Sequence, residues 1–200
     1  MQDMTIDIKE FQQAVASLNK KLEEFAGSQD SYVTVGIHED ANDPEGGLTM
    51  ASLGATHHFG ADIDHPGGTP YGYSTEVDAE RGVGRFLKKG TGFMVLGETE
   101  PHKIKIPARR WLDTGVISGI KQYEEALEDL QPETIADALE VVGIEASSAT
   151  RTYMRDLRTP PNAPSTIKKK GSSNPLIDTG EMVQSVDYKV TTQRPSEGIE

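Results

Sequence analysis

Two Asp-Thr-Gly tripeptides are the residues of this chain whose types most directly suggest chemistry, and they begin at Asp113 and Asp178. Aspartic proteases use two such tripeptides, because two neighbouring carboxylates can share one proton and act as acid and base. Those enzymes place each tripeptide on a β-loop, usually followed by Ser or Ala. Here Val116 and Glu181 follow, and both segments continue with helical spacing. We therefore interpret Asp113 and Asp178 as helix N-caps, which accept the first free backbone N–H groups, and keep the protease as an alternative.

The histidines and the acidic cluster do not follow a metal-binding pattern. His57 and His58 are adjacent, so on a helix they point in different directions and cannot bind one ion together. The acidic segment 39–47 lacks the spacing of a calcium-binding loop. The remaining histidines are scattered in predicted loops, at His38, His65 and His102. The chain has no cysteine, which excludes disulfides and thiolate sites, and we expect neither a metal nor a cofactor.

The composition is that of an ordinary globular protein with an acidic balance. Of the 200 residues 35% are hydrophobic, and the net charge of −12 argues against a general affinity for nucleic-acid phosphates. We find no apolar run long enough to cross a bilayer and no export signal, so we expect a soluble protein. Residues 151–171 differ, with six basic residues and one acidic residue. This basic segment is either a solvated loop or a docking site for an acidic partner or a second copy.

The segment 103–116, in the middle of the chain, combines a strand signal with an interface signal. Apolar and charged residues alternate up to Ile106, which predicts a half-buried strand, and the proline that follows ends it. Arg109, Arg110 and Trp111 then join two fixed charges to the only tryptophan, a combination that is enriched at protein interfaces. We predict interface residues here and in the lysine run of the basic segment: Lys168, Lys169 and Lys170.

Hydrophobic periodicity predicts the elements that position these residues. Asp7 and Glu10 form a capping box, so the first helix should begin at about Ile8. Spacings of three and four residues predict further amphipathic helices, and β-branched alternation predicts strands. The predicted helices cover 8–25, 48–59, 113–130 and 132–157, and the predicted strands cover 32–37 and 185–191. The expected fold class is α+β, with a small mixed or antiparallel β-sheet flanked by long helices.

A single domain, residues 1–200, accounts for this pattern and contains two irregular segments. Residues 62–102 are rich in glycine, and within them 85–97 predicts a hairpin of two short strands around a glycine-containing turn. We interpret 62–102 as a β insertion arm, a kind of insertion that usually serves binding or assembly. Residues 159–175 contain four prolines and the lysine run, so we predict an ordered or semi-ordered loop there.

Several motifs occur in an order that resembles a known family. They are a V-x-V-G-I strand, a short helix ending near Phe-Gly, IPAR followed by an aromatic residue, two helices before PPNAPSTIKKKGS, and PLIDTGEM leading into a final strand. In this order they look like the tail-completion and head-to-tail joining proteins of tailed bacteriophages, also described as virion morphogenesis or minor tail proteins. The resemblance covers nearly the whole chain apart from 62–102. The chain departs from it at Arg110 and Trp111, where Pro-Phe is common, at His58, where an acid is common, and in its longer insertion.

The resemblance implies a structural protein with no substrate and no cofactor. It implies a small α+β domain that forms a ring, expected to be a hexamer in the virion, at the neck between capsid connector and tail. The implied partners are copies of the chain itself, the capsid-side connector or neck proteins, and the tail tube or tail terminator protein. No membrane is involved, and DNA is only cargo passing through the channel. The implied location is the virion, and the host cytoplasm during assembly.

The same resemblance suggests roles for the predicted interface residues. Arg109, Arg110 and Trp111 would lie near one contact between neighbours in the ring. The lysine run 168–170 would meet an acidic surface, and the insertion arm would reach a capsid-side or tail-side neighbour. Two alternatives stay open, a soluble binding module with no role in a virion, and a protease that uses the two Asp-Thr-Gly aspartates.

Overall fold

The computed structural model describes residues 8–25, 30–38 and 49–194, and it confirms the α+β fold class. The helices are α1 Ile8–Leu22, α2 Met50–Phe59, α3 Glu76–Glu80, α4 Trp111–Ser118, α5 Ile120–Leu130, α6 Ile135–Asp156, α7 Pro164–Lys170 and α8 Glu181–Gln184. The strands are β1 Tyr32–Ile37, β2 Ala61–His65, β3 Pro70–Tyr73, β4 Arg85–Phe86, β5 Met94–Glu98, β6 His102–Ile106 and β7 Val186–Thr191. The predicted cap Asp7 and the acidic segment 39–47 lie outside the described residues.

The chain divides into two compact units. The first, which we call the body, comprises Met1–Gly60 and Pro107–Glu200, and the second, which we call the arm, comprises Ala61–Ile106. The arm extends further along the chain than the predicted insertion 62–102, because the strand that ends at Ile106 pairs with β2 inside the arm.

The body is built around α6, the longest helix, with 22 residues. Its apolar residues recur at spacings of three and four, so one stripe of the helix faces the core. β1 and β7 form an antiparallel pair in which Tyr32 lies opposite Thr191 and Ile37 opposite Val186. One core cluster is formed by buried side chains of α1, α5 and α6, with partly buried side chains of α1, β1 and β7 packed against it. A second cluster joins α4 and α8 to the C-terminal half of α6 through buried apolar side chains: Trp111, Met154, Leu176, Met182, Val183 and Val186.

The contact between α4 and α6 is unusually close because Gly115 faces Thr150. A Cβ atom at Gly115 would lie only 2.9 Å from the Cα atom of Thr150, a separation that real side chains do not adopt. Thr150 is fully buried, and its hydroxyl donates to the Ala146 carbonyl at 2.8 Å, so no polar group is left unpaired in the contact. A glycine at this position therefore decides how closely the two helices pack.

The predicted helix 113–130 is in fact two helices, α4 and α5, which meet at Gly119. A Cβ atom at Gly119 would lie 2.5 Å from the Tyr123 hydroxyl and 2.6 Å from the Cβ atom of Ala149. The absence of a side chain at Gly119 lets the Tyr123 ring cover the junction, where its hydroxyl donates to the Val116 carbonyl. The break therefore has a tertiary cause that the helical spacing does not show.

The next helix also begins later than predicted. The sequence suggested a start at Pro132, whereas α6 starts at Ile135 with Thr134 as its N-cap. The Thr134 hydroxyl accepts a hydrogen bond from the Asp137 backbone N–H at 3.2 Å, which satisfies a donor that the helix itself cannot. The side-chain cap thus sets the boundary, two residues after the proline.

The arm contains two antiparallel sheets, the pair β2–β6 and a three-stranded sheet in the order β4-β3-β5. The predicted hairpin was wrong, because β4 and β5, its two strands, each pair with β3 and not with each other. Gly72 of β3 makes this arrangement possible. A Cβ atom there would lie 2.0 Å from the Met94 carbonyl oxygen, next to the irregular register between Tyr71 and Gly72.

Candidate functional site

Asp113 lies inside α4 and is held by an arginine. Its Oδ2 atom accepts a hydrogen bond from Arg110 Nε at 2.6 Å, and its Oδ1 atom accepts from the Thr114 backbone N–H at 2.8 Å. The helix begins at Trp111, and its N-cap is Arg110, which makes no side-chain cap. The prediction that Asp113 caps the helix was therefore wrong, because the helix starts earlier than the position of the carboxylate.

Asp178 is likewise not a helix cap. The N-cap of α8 is Gly180, with a left-handed backbone and no capping side chain, and Asp178 is exposed ahead of it. Both Asp113 and Asp178 lie at helix starts and not on β-loops.

Trp111 attaches α4 to α2 and is only 3% exposed. Its indole N–H donates to the Gly54 carbonyl at 2.9 Å. Gly54 leaves room for this contact, since a Cβ atom there would lie 3.1 Å from Trp111 Cζ2 and 3.0 Å from Ile37 Cδ1. The only tryptophan of the chain therefore packs inside the body, and the prediction that it contacts a partner does not hold.

Arg109 is also 3% exposed and holds the start of the proline-rich segment. Its Nε atom donates to the Pro160 carbonyl at 2.9 Å, and its Nη2 atom donates to the Pro161 carbonyl and to Asn162 Oδ1, both at 3.3 Å. The guanidinium fork thus binds three acceptors of this chain and not of a neighbour. The interface prediction fails for Arg109 as well, whereas the side chain of Arg110 is 69% exposed and remains available to a partner.

His57 joins Arg109 from the other side. The Arg109 backbone N–H donates to the His57 carbonyl at 2.8 Å, and Arg109 Nη1 lies 3.3 Å from His57 Nδ1. Burial lowers the pKa of His57, and the positive charges of Arg109 and Lys170 lower it further. A neutral His57 can accept from the guanidinium, so Arg109 and His57 form a compatible pair at neutral pH.

His58 lies beside Trp111 and the start of α4. Its ring meets the Trp111 ring edge to face, with 6.0 Å between centroids, and its Nε2 atom lies 4.0 Å from Asp113 Oδ1. Burial lowers the pKa of His58, the charge of Asp113 acts in the opposite direction, and Arg110 lowers it again. The two adjacent histidines therefore serve different contacts, as their positions on a helix require.

The predicted loop 159–175 contains a helix, α7, which Pro164 begins and Gly171 ends. Proline fits the first turn of a helix because its missing N–H would have no partner there, and the left-handed Gly171 ends the helix. The prediction of irregular structure was wrong for this stretch. Lys168 and Lys169 are exposed at its end, whereas Lys170 is half-buried.

Lys170 and Asn174 tie the end of α7 to the end of α6. Lys170 Nζ donates to the Asn174 carbonyl at 2.7 Å, and Asn174 Nδ2 donates to the carbonyls of Met154 and Arg155 at 3.1 and 2.7 Å. Burial lowers the pKa of Lys170, Asp178 opposes this shift and Arg109 adds to it. These hydrogen bonds therefore fix the end of α7, and with it the lysine run 168–170, beside the end of α6.

A surface that the sequence analysis did not identify lies on the arm. We call it the arm surface, and it consists of Phe86, Phe93, Met94, Val95 and Leu96, which are 72%, 51%, 46%, 55% and 51% exposed. Three of these residues are consecutive in β5, where the register against β3 shifts and leaves Leu96 without a partner in the ladder. The run Met-Val-Leu without polar alternation was the signal for it, since it is typical of a strand covered on both sides.

Neither a metal site nor a membrane span is found in the described regions. Within residues 8–25, 30–38 and 49–194, no three His, Asp or Glu side chains are grouped so that they could hold a metal ion. None of the helices described has both the length and the apolar character that crossing a bilayer requires. A comparison with protein-family models, curated proteins and solved structures finds no match to this chain.

Proposed function

We propose that this chain is a structural component of a tailed-phage virion that assembles as an oligomeric ring at the neck, between the capsid connector and the tail. The arm surface is the observation that carries the proposal. Soluble monomers seldom leave several large apolar side chains exposed together, and such a surface usually marks a contact with another protein. Val95 and Leu96 are each more than half exposed, and covering these apolar side chains with another protein would be favourable.

The edge of β5 supports the same conclusion. In the order β4-β3-β5 this strand is at the side of the sheet, and its outer edge has no strand partner within the described part of the chain. Unpaired backbone groups at a sheet edge accept a strand from another chain. An apolar strand with a free edge therefore suits a protein neighbour in an assembly better than a small-molecule ligand.

The arrangement of the body suits a structural role and not a catalytic one. Arg110 pairs with Asp113 in α4, and Asp178 precedes the N-cap of α8, so both aspartates lie at helix starts and not on the β-loops that the protease alternative expects. Arg109 and Asn174 instead fix the proline-rich segment and hold its lysines in place. The order of the sequence motifs adds to this support.

The proposal assigns the partners and the location as follows. Copies of the chain would form the ring, and capsid-side connector proteins and the tail tube or tail terminator protein would contact it. DNA would pass through the ring as cargo. The protein would be found in the virion, and in the host cytoplasm during assembly.

Mass spectrometry of density-purified virions from an induced lysate tests the proposal. We expect the chain in a small, constant ratio to the major capsid protein, as one ring per virion requires. Its absence from otherwise complete virions would refute the proposal.

Two further measurements distinguish the proposal from the two alternatives. A soluble binding module would be found with a partner outside the virions. A protease would cleave peptides, and the variants Asp113→Asn and Asp178→Asn would each abolish that cleavage.

A further inference from the structure

One end of α6 is surrounded by exposed acidic side chains. α5 ends at Leu130 and α6 begins at Ile135, so the last turns of α5 lie at the N-terminal end of α6. We call the exposed acidic residues there the acidic end: Glu125, Asp129, Glu133 and Asp137. Lys21 is nearby, but it is paired with Glu128, which lies on an adjacent face of α5.

The opposite end of α6 carries exposed basic side chains. Asn174 ties α7 to the carbonyls of Met154 and Arg155, which places the end of α7 beside the end of α6. We call the exposed basic residues there the basic end: Arg155, Arg158, Lys168 and Lys169. Two acidic residues, Asp156 and Asp178, lie in the same region, where the four basic residues outnumber them. With 22 residues at about 1.5 Å each, α6 separates its two ends by about 33 Å.

Helix stability does not explain the acidic end. An acid in the first turn of α6 and a base in its last turn complement the helix dipole, which accounts for Asp137 and Arg155. Asp129 lies in the last turn of α5, where the partial negative charge of the helix end repels a carboxylate and where no basic residue is present. Asp129 therefore disfavours its own helix, so a partner is the better explanation for its position.

We propose that copies of this chain bind one another head to tail, with the basic end of one copy on the acidic end of the next. The two ends are opposite in charge and lie at opposite ends of α6, so each copy offers one of each. Leu130, which is 67% exposed at the acidic end, supplies an apolar centre for the contact. Such a contact is heterologous, and it forms a ring when the rotation between neighbours closes and an open filament when it does not. The inference rests on the proposed function, because it names the contact between neighbours in that ring.

Charge reversal in the full-length chain tests the contact by sedimentation velocity at physiological salt. One variant reverses the basic end with Lys168→Glu and Lys169→Glu, and another reverses the acidic end with Glu125→Lys and Asp129→Lys. We expect each variant to weaken self-association by at least about tenfold, because half of the charges at the altered end then repel those that face them. An equimolar mixture of the two variants should associate again, since the unaltered acidic end of one variant then meets the unaltered basic end of the other.

Matched controls separate this contact from the effect of net charge. Lys88→Glu with Lys89→Glu changes the charge of the arm by the same amount as the basic-end variant, and Glu76→Lys with Glu80→Lys matches the acidic-end variant. All four positions are exposed on the arm, and we expect wild-type association from both controls. Denaturant unfolding of each variant verifies that it is folded.

Three results would each overturn the inference: a wild-type chain that stays monomeric at its highest soluble concentration, end variants that associate like the wild type, or a mixture that does not recover. The virion measurement is independent of these results. A chain present in virions whose end variants associate normally would remove the contact and leave the proposed function. A chain that associates through its ends and is absent from virions would remove the proposed function.

Discussion

Arg109 connects segments that are far apart along the chain, since Pro160 lies 51 positions after it and His57 lies 52 positions before it. We expect Arg109→Met, which keeps an apolar stem and removes the donors, to lower the free energy of unfolding by about 2–3 kcal/mol. Carbonyl oxygens of the proline-rich segment would then lose the charged donor that pairs with them. Urea unfolding followed by far-UV circular dichroism measures this change.

Arg110→Met is the matched control for Arg109→Met. Its side chain is 69% exposed, and its ion pair with Asp113 lies at the surface, so we expect a change within about 0.5 kcal/mol. Equal effects of the two substitutions would show that the buried contacts of Arg109 do not stabilise the fold.

His57 should make the stability of the body depend on pH. Burial lowers its pKa in the folded state, and the charges of Arg109 and Lys170, which face it from the segment before α4 and from α7, lower it further. The unfolded chain therefore binds a proton at about pH 6.5, where the folded chain does not. Above about pH 6.5 this histidine does not lower the free energy of unfolding. Below it the free energy of unfolding decreases as the pH falls, by at most about 1.4 kcal/mol per pH unit for this one proton.

His57→Gln tests this dependence because glutamine keeps an acceptor for Arg109 and does not titrate. We expect a shallower decrease in unfolding free energy between pH 6.5 and 5 than in the wild type, measured by urea titrations at each pH. His58 contributes in the same direction, since burial also lowers its pKa, so the double variant with His58→Gln should be shallower still. An unchanged slope in both variants would contradict the assignment.

At the scale of elements, the closeness of α4 and α6 should depend on Gly115. In Gly115→Ala the new methyl group would meet the backbone of Thr150 at 2.9 Å, and a backbone atom cannot rotate away. Alanine gains about 1 kcal/mol of helix propensity over glycine, whereas overpacking costs about 1–3 kcal/mol, so we expect a net loss of up to about 2 kcal/mol. Thermal unfolding measures the loss, with Ser148→Ala on the exposed side of α6 as the control.

The sequence predicted those elements whose signal is local. The stripe of α6 and the alternation in β1 and β7 came from periodicity, and the structure confirms both strands and the long helix. The break at Gly119 was missed because it depends on the Tyr123 ring, which packs over the junction. The hairpin of the arm was predicted with the wrong pairing, because only the third strand, β3, decides which strands are neighbours.

The candidate site was harder to predict because its contacts also join residues that are far apart along the chain. An arginine beside a tryptophan is typical of interfaces, and it is equally suited to joining distant parts of one chain. Trp111 meets Gly54, 57 positions earlier, and a single sequence holds no local trace of that contact. The lysines at 168 and 169 required only local composition, and they are exposed as expected, as is Arg110.

At the scale of the whole molecule, both core clusters lie in the body, and the arm surface lies outside them. Every residue in the two core clusters belongs to the body, so the arm contributes no side chain to them. The arm instead leaves several large apolar side chains about half exposed or more. A chain organised in this way can lose its arm surface without losing its core.

Removal of the arm tests this division. Ala61 and Ile106 are opposite each other in the β2–β6 ladder, so their backbones are about 5 Å apart, and a two-glycine linker can join Gly60 to Pro107. We expect the shortened chain to unfold cooperatively, with a free energy within about 1 kcal/mol of the wild type, because both core clusters are retained. We also expect virions made with it to lack the protein, as measured by mass spectrometry.

A less drastic variant, Phe86→Ser with Val95→Thr, keeps the arm and should also reduce the amount of the protein that is incorporated into virions. Normal incorporation of both variants would show that the arm surface is not what attaches this protein to its neighbours.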